Sequence, residues 1–340
     1  MMAKCVRVPR EGAEEARRKL MEAGMLDLDH RIRRDGDSIL IPVLAQYDGE
    51  TEEADLQVQK HEETDYRNLA EVPPELKEIL PSSFDVVGDI AIMKLPEELL
   101  PYKGSIGNAL LRTERNLRAV FLDSGVKGEY RIRDLERIAG EGTSETVHRE
   151  NGVRMMTDPS KVYFNPRLAG ERARVASLVK DGEVIIDMFA GVAPFGTVIA
   201  RHAHPAKIYS IDLNPECERF MKENVRLNGI TCMETMIGDS VELVKTLPKA
   251  DRVIMNLPQM ADKFLDSALR SVKPTGTIHM HKIMERADLA QFENDIVKRM
   301  ADEGLGMRIA AVRELKTYSP TMSVYVFDIV PAEPYFTPSA

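Results

Sequence analysis

The sequence predicts an α/β protein. Its C-terminal half reads as a mostly parallel, doubly wound sheet with a C-terminal antiparallel hairpin, preceded by two small α+β domains. Three observations carry this reading. From residue 183 to 330, short β-branched runs alternate with helical stretches, as in a chain that feeds strand after strand into a parallel sheet. Successive candidate strands end on an acid or an amide, first Asp187, then Asp212, Asp239 and Asn256. Residues so placed converge on one crevice at the carboxyl ends of the strands. The last two apolar runs, 307–314 and 323–330, have no helix between them and pair as a hairpin.

The elements follow in order. Residues 4–8 alternate like a short strand, 12–20 form a charged helix stopping near Gly24, and 31–42 form a hairpin turning at Asp35-Gly36. This βαβ-type module, residues 1–60, is too small and polar to hold nucleotide chemistry. Residues 46–66 are dense in Asp and Glu, a linker or an exposed acidic strand. Pro73-Pro74 and Pro81-Ser82-Ser83 mark the next boundary. The second domain, 75–160, begins with a strand pair around Gly88 and continues with a helix over 104–116 and a strand over 119–122. Basic stretches and short strands follow, and Val162-Tyr163-Phe164 leads into the third domain, 161–335. There the helices fall near 216–227, 241–247, 261–272 and 289–300, and the strands near 184–186, 207–211, 233–237, 252–255 and 277–283.

The stretch from Glu183 to Pro215 organises the chain. Val184-Ile185-Ile186 is a buried strand ending at Asp187. The loop Met188-Phe189-Ala190-Gly191-Val192-Ala193 follows, and Pro194 opens a helix, where its missing N–H costs nothing. The next strand ends at Asp212, an acid placed to bond both hydroxyls of a ribose. Gly191, Ala193 and Gly196 do not make the G-x-G-x-x-G of a dinucleotide site. Thr197 stands where a phosphate-binding P-loop has its lysine. A ligand without phosphate fits better. S-adenosylmethionine needs only one close backbone approach plus acids for its ribose and amino groups.

Composition narrows the class. The chain has 340 residues, 43% hydrophobic and 30% charged, which describes a globular protein with a sizeable core. No apolar run is long enough to span a membrane, and the N-terminus has no apolar signal core, so a cytoplasmic protein is expected. Cys5, Cys217 and Cys232 are scattered and carry no metal spacing. His202-x-His204 and His279-x-His281 could each share a strand face, but no third ligand accompanies them, and no metal is expected. The net charge of −9 opposes wholesale nucleic-acid binding, and no DNA partner is expected. The charge is uneven, however. Residues 101–180 carry fifteen Lys and Arg against ten Asp and Glu. A basic middle in an acidic chain suggests a localised anionic partner; ordinary surface ion pairs are the alternative.

Asp212, Asp239 and Asn256 could each be a plain helix N-cap, but three in order at strand ends point to a crevice. Just before the first of these strands lies Phe164-Asn165-Pro166-Arg167-Leu168, followed by Gly170-Glu171-Arg172-Ala173-Arg174. A protonated ring nitrogen needs a base before it can attack a sulfonium methyl, and a positioned Glu171 could serve. An arginine aimed at a neighbouring carbonyl oxygen would stabilise the charge that develops there. Alternatively, Glu171 simply pairs with Arg174 one turn on.

These residues carry a resemblance. Phe84-Asp85-Val86-Val87-Gly88-Asp89, Lys127-Gly128-Glu129-Tyr130-Arg131-Ile132-Arg133, Val162 to Leu168, Gly170-Glu171-Arg172, Asp187 to Val192 and Asn256-Leu257-Pro258 resemble, in order and spacing, the archaeal/eukaryotic tRNA (guanine-N1)-methyltransferase family acting at position 37. The small N-terminal module also looks like the first domain of archaeal members. The resemblance implies a class I, Rossmann-like methyltransferase domain, S-adenosylmethionine as cofactor and tRNA as partner. The anticodon loop would enter the site, the N-terminal module would touch a distant part of the tRNA, and the protein would act as a monomer. It implies Glu171 as general base, Arg131 at guanine O6, Arg167 organising the active site and Arg172 beside the methionine part of the cofactor. Asp187, Phe189, Gly191, Asp212, Leu213, Asp239, Ser240 and Asn256 would complete the cofactor site, with Asn256 also beside the reacting base. Ala193 departs from the family, where many members have glycine; tighter loop packing is the expected consequence. The related wybutosine-pathway transferases share the fold and cofactor and act on the same tRNA position. They transfer an aminocarboxypropyl group or methylate the tricyclic base. Asn256-Leu257-Pro258 favours methyl transfer to guanine.

Overall fold

The computed structural model describes residues 2–23, 25–27, 29–44, 51–57, 65–128, 130, 132–302, 304 and 306–332. The chain forms two compact units, Met1–Leu69 and Ala70–Ala340.

In the first unit, strand β1 (Met2–Pro9) leads through helix α1 (Ala13–Glu22) to β2 (Arg33–Asp35), β3 (Ser38–Pro42) and β4 (Thr51–Asp55). The sheet order is β2-β3-β1-β4. Every pairing is antiparallel, so the expected βαβ-type arrangement is instead a hairpin with β1 inserted beside it. Part of the acidic stretch becomes the edge strand β4, since Ala54 and Leu56 reach the small core with Ala3, Cys5 and Leu40. A helical turn, α2 (Tyr66–Leu69), ends the unit.

The second unit opens with β5 (Asp85–Val87), β6 (Ile90–Met93), α3 (Lys103–Thr113), β7 (Ala119–Lys127) and β8 (Ile132–Gly140). These strands form a sheet in chain order, parallel between β6 and β7 and antiparallel elsewhere. A separate hairpin joins β9 (Thr146–Glu150) to β10 (Val153–Thr157). Helix α4 (Ala169–Leu178) then precedes the main alternation: β11 (Val184–Asp187), α5 (Pro194–His202), β12 (Lys207–Asp212), α6 (Cys217–Leu227), β13 (Met233–Ile237), α7 (Ser240–Leu243), β14 (Ala250–Met255), α8 (Ala261–Ser271), β15 (Val272–Glu285), α9 (Leu289–Asp302), β16 (Met307–Thr317) and β17 (Met322–Pro331).

The seven-stranded sheet has the order β13-β12-β11-β14-β15-β17-β16. β11 to β15 run parallel, and β17 lies antiparallel between β15 and β16. The order reverses between β11 and β14, which opens a crevice at their carboxyl ends. Apolar residues cover both faces. Ile185, Val198, Ile199 and Phe220 pack in one core, which the four-stranded sheet enters through Ile90 and Phe121. Ile186, Met255, Leu265 and Phe327 pack in the other. Each such large side chain, once fully buried, contributes about 1.5–3 kcal/mol. Gly196 in α5 belongs to packing: a Cβ there would meet Met233 Cε at 2.7 Å and Ser210 Oγ at 3.0 Å. Among the described residues, no helix is long and apolar enough to cross a membrane.

Candidate active site

The loop after β11 is tied across the switch point. Met188 N donates to Ile254 O at 3.0 Å, and Ala190 N donates to Ile211 O at 2.7 Å. Gly191 sits at φ +58°, and an added Cβ would press on Tyr163 O at 3.0 Å. Its N–H donates to Asp212 Oδ2 at 2.6 Å, while Asn214 N donates to Asp212 Oδ1 at 2.9 Å. Asp212 is thus held rigidly, with acceptor capacity left for hydroxyl donors. Ala193 also lies in the left-handed region, at φ +60°. Strain of roughly 1–2 kcal/mol is expected for a residue with a Cβ there. That backbone requirement, rather than packing alone, explains why glycine suits the position.

A cavity of about 290 Å³ opens over this loop. Phe189, Gly191, Asp212, Leu213, Asp239, Ser240 and Asn256 line it, together with Tyr163, Asn214, Gly238, Met260 and Phe264. Phe189 stands edge-on to Phe264, centroids 4.9 Å apart, giving one wall an aromatic character. Asp239 is exposed and caps α7 through Val241 N at 2.8 Å. Asp187 lies beneath the cavity, wholly buried. Neither of its carboxylate oxygens has a hydrogen-bond partner; the Phe189 N–H acts on it only outside bonding geometry. Burial pushes its carboxyl up to about 7, and the nearby Asp212 adds to the shift. Burial raises Asp212 as well, against its backbone donors. An orphaned buried carboxylate of this kind calls for a cationic partner.

A second cavity, about 380 Å³, adjoins the first through Tyr163, Asn256, Pro258 and Gln259. Lys94, Arg133, Arg167 and Lys316 line it, against Asp85 and Asp123. Arg167 Nε donates to Asp85 Oδ1 at 2.7 Å and Arg133 Nη2 to Asp85 Oδ2 at 3.0 Å. Burial pushes the Asp85 carboxyl up, but the two guanidiniums outweigh it and hold it below its ordinary range. Burial and the same two arginines lower the Lys316 ammonium. Tyr318 stands at the rim, 59% exposed.

Asp187 lines neither cavity, and two more expected site residues stand apart from both cavity walls. Arg172 is buried and grips Glu150 with two bonds at 2.5 Å, its guanidinium 5.6 Å from the Phe164 ring centroid. Glu171 is 4% exposed and accepts from Arg174 at 2.7 and 2.9 Å and from Arg313 at 3.3 Å. Burial pushes its carboxyl up, yet Arg174, His281 and Arg313 together hold it below the ordinary range, so it is ionised. The network continues from Arg174 to Asp328, to His279 and to Arg252. Since Arg252 can only donate, His279 Nε2 accepts and its Nδ1–H donates to Asp328. Arg131 lies outside the described residues. Lys316 carried no signal that sequence reasoning used; Asp85 lay in a quoted motif without a role of its own, and His281 was weighed only as half of a histidine pair. His202 ends α5 and His204 lies in the following loop, so that pair shares no strand; among the described residues no His, Cys, Asp and Glu cluster could hold a metal.

The chain matches the model of the TRM5/TYW2 methyltransferase domain over residues 146–310. It also matches those of the TYW2 N-terminal domain over 67–143 and the tRNA methyltransferase 5 N-terminal domain over 5–52. It is similar to the Pyrococcus abyssi tRNA (guanine(37)-N(1))-methyltransferase Trm5b, with 40% identity over 94% of this chain and 96% of that one. A solved complex of aTrm5 and tRNALeu aligns with TM-score 0.70 and 32% identity, covering 96% of this chain and 99% of that one. A Pyrococcus horikoshii tRNA(Phe) (4-demethylwyosine(37)-C(7)) aminocarboxypropyltransferase shares 30% identity over 76% of this chain and 92% of its own.

Proposed function

The chain belongs to the TRM5/TYW2 methyltransferase family, and from that premise we propose that it transfers the methyl group of S-adenosylmethionine to N1 of guanosine 37 in tRNA. The observation that carries the reading is the pair of joined cavities, one ending on carboxylates and the other ringed by cations. S-adenosylmethionine, when bound, supplies an electrophilic methyl on a sulfonium. Asp187 would hold the ammonium of its methionine part, for which the partnerless buried carboxylate fits. Asp212 would hold the ribose. Phe189, Leu213, Asp239 and Ser240 would enclose the adenine end.

The anticodon loop delivers a base that can be splayed out of its strand and read along its Watson–Crick edge. Lys94, Arg133, Arg167 and Lys316 suit the phosphates and O6 of such a nucleotide. Asn256, shared by the two cavities, is placed to bond the base edge beside the methyl donor. Catalysis is then mostly alignment of N1 with the methyl carbon. Arg131 stabilises charge at O6, and Glu171 is the carboxylate on which removal of the N1 proton depends. The N-terminal module, residues 1–60, recognises a distant part of the tRNA and contributes to binding rather than to chemistry.

Methyl-labelled cofactor and unmodified tRNA transcripts differing only at position 37 test this. Label should enter the guanosine transcript and be absent from the adenosine one. Equal labelling of both would refute the assignment of base and position.

A further inference from the structure

We propose that Tyr318 is a stacking subsite: its ring takes the base of a nucleotide adjoining guanosine 37 while that guanine sits in the cation-lined cavity. The inference deepens the methylation reading above and rests on it. Among the described residues, three aromatic side chains are exposed, Tyr130, Tyr163 and Tyr318, and each borders one or both of the two cavities. Tyr130 stands on the cofactor cavity and Tyr163 on both. Tyr318 borders the cation-lined cavity alone, and at 59% it is the most exposed of the three.

A single exposed tyrosine is ordinary on a protein surface. Tyr318 differs in having a fixed backbone at a cavity mouth. It begins the turn between β16 and β17, where Tyr318 N donates to Met322 O at 2.9 Å and Ser319 N to the same oxygen at 3.1 Å. Arg286 straps that turn. Its backbone N–H donates to Thr321 O at 3.0 Å, its Nη1 to Pro320 O at 2.7 Å and its Nη2 to Thr317 Oγ1 at 3.2 Å. The register of β16 shifts between Glu314 and Lys316, an irregularity of the kind that re-aims side chains beside functional sites. Leu315, Lys316 and Tyr318 all border the cavity. With its backbone held, the ring has only its two side-chain torsions left to order on binding.

A base swung out of its strand leaves its neighbours with bare faces, and that unstacking is costly. An aromatic ring at the mouth of the cavity gives one neighbour a new stacking partner. It accepts any of the four bases, because each has a π-face. Lys316, with Arg133 and Arg167, draws the sugar–phosphate strand toward the same cavity. Two residues of extended chain span about 7 Å, so a strand whose phosphate meets Lys316 passes within reach of the Tyr318 ring. The subsite therefore adds affinity for an unpaired loop without reading its sequence. Tyr318 acts on binding, and the methyl-transfer step is left to the groups already described.

The test uses the full chain, an intact guanosine-37 transcript and transcripts lacking the base at position 36 or at position 38. Single-turnover methylation is titrated with enzyme, which separates the half-saturating concentration from the rate at saturation. On the intact transcript, Y318A should raise the half-saturating concentration roughly 5–150-fold, the worth of one base on one ring. Its rate at saturation should stay within about threefold of wild type. Y318F should match wild type, since the ring stacks and the hydroxyl does not. With wild type, one of the two abasic transcripts should lose the same factor in affinity, and with Y318A that transcript should lose nothing further. Unchanged binding by Y318A, an equal loss in Y318F, or a loss in Y318A that is independent of both missing bases would overturn the proposal. The chain has no tryptophan, so Y318W places a single reporter at the turn. With S-adenosylhomocysteine present, saturating intact transcript should quench its fluorescence, and the abasic transcript that lost affinity should not. Equal quenching by all three transcripts, or by none, would overturn the proposal. Absence of methylation by wild type would instead remove the methylation reading, whereas a failed stack leaves that reading standing.

Discussion

Asp187 makes a prediction that needs no tRNA. Its carboxyl is wholly buried, unpartnered and raised to about 7, against an ordinary value of 3.8. An acid whose folded-state pKa is raised destabilises the fold as it ionises. The effect begins as pH rises past the unfolded value, grows through the interval between the two and is complete above the folded one. The full shift of about three units corresponds to on the order of 4 kcal/mol. Asp187→Asn keeps the shape and removes the charge. Relative to wild type, the cofactor-free variant should therefore gain roughly 2–3 kcal/mol of stability between pH 5 and pH 8, with the gain flattening above pH 7. Urea unfolding at several pH values measures this directly. The same variant should bind S-adenosylmethionine more weakly, since the ammonium loses its partner. Parallel stability curves for the two proteins across that interval would refute the account of Asp187.

Other expectations are simpler to state. Asp212→Ala leaves the Gly191 and Asn214 N–H groups without their acceptor and the ribose without a partner. Its S-adenosylmethionine affinity should fall by roughly 1–3 kcal/mol in calorimetry, and an unchanged affinity in a folded variant would remove Asp212 from the ribose site. Gly191→Ala forces a side chain into a left-handed backbone and against Tyr163 O. It should weaken cofactor binding while leaving the circular dichroism spectrum intact, and full affinity would contradict the close approach. A chain beginning near Pro73 should keep its single-turnover rate at saturating tRNA and lose affinity. A collapsed rate at saturation would place the first unit in the active site.

The crevice was legible because its signals are local. A strand, a loop and a helix in one stretch, with an acid at the end of the next strand, fix Asp187, Gly191 and Asp212 within thirty residues. The mostly parallel character of the sheet follows from that alternation, and its antiparallel edge from the unbroken final hairpin. The surroundings of the reacting base were not legible, because they form from distant segments. Asp85 meets Arg167 across 82 positions, and Glu171 meets Arg313 across 142. Periodicity showed that Glu171 could pair with Arg174, and that pair is present. It could not show that a second cation, Arg313, and a buried histidine converge on the same carboxylate. His279 and His281 look identical in a sequence. Only the partners supplied by other elements distinguish the two rings: Arg252 and Asp328 engage His279, whereas His281 faces Glu171. The edge strand β4 was ambiguous for a related reason: its charged residues mask two small apolar contacts with β1 and β3.

The most direct measurement is identification of the modified nucleoside. The protein is incubated with S-adenosylmethionine and an unmodified tRNA carrying guanosine 37, and the tRNA is digested and analysed by mass spectrometry against standards. The account predicts one added methyl group, on N1 of the guanosine at position 37. An unmodified guanosine 37, a methyl on another atom, or activity only on a tRNA bearing the tricyclic base with transfer of an aminocarboxypropyl group would contradict it.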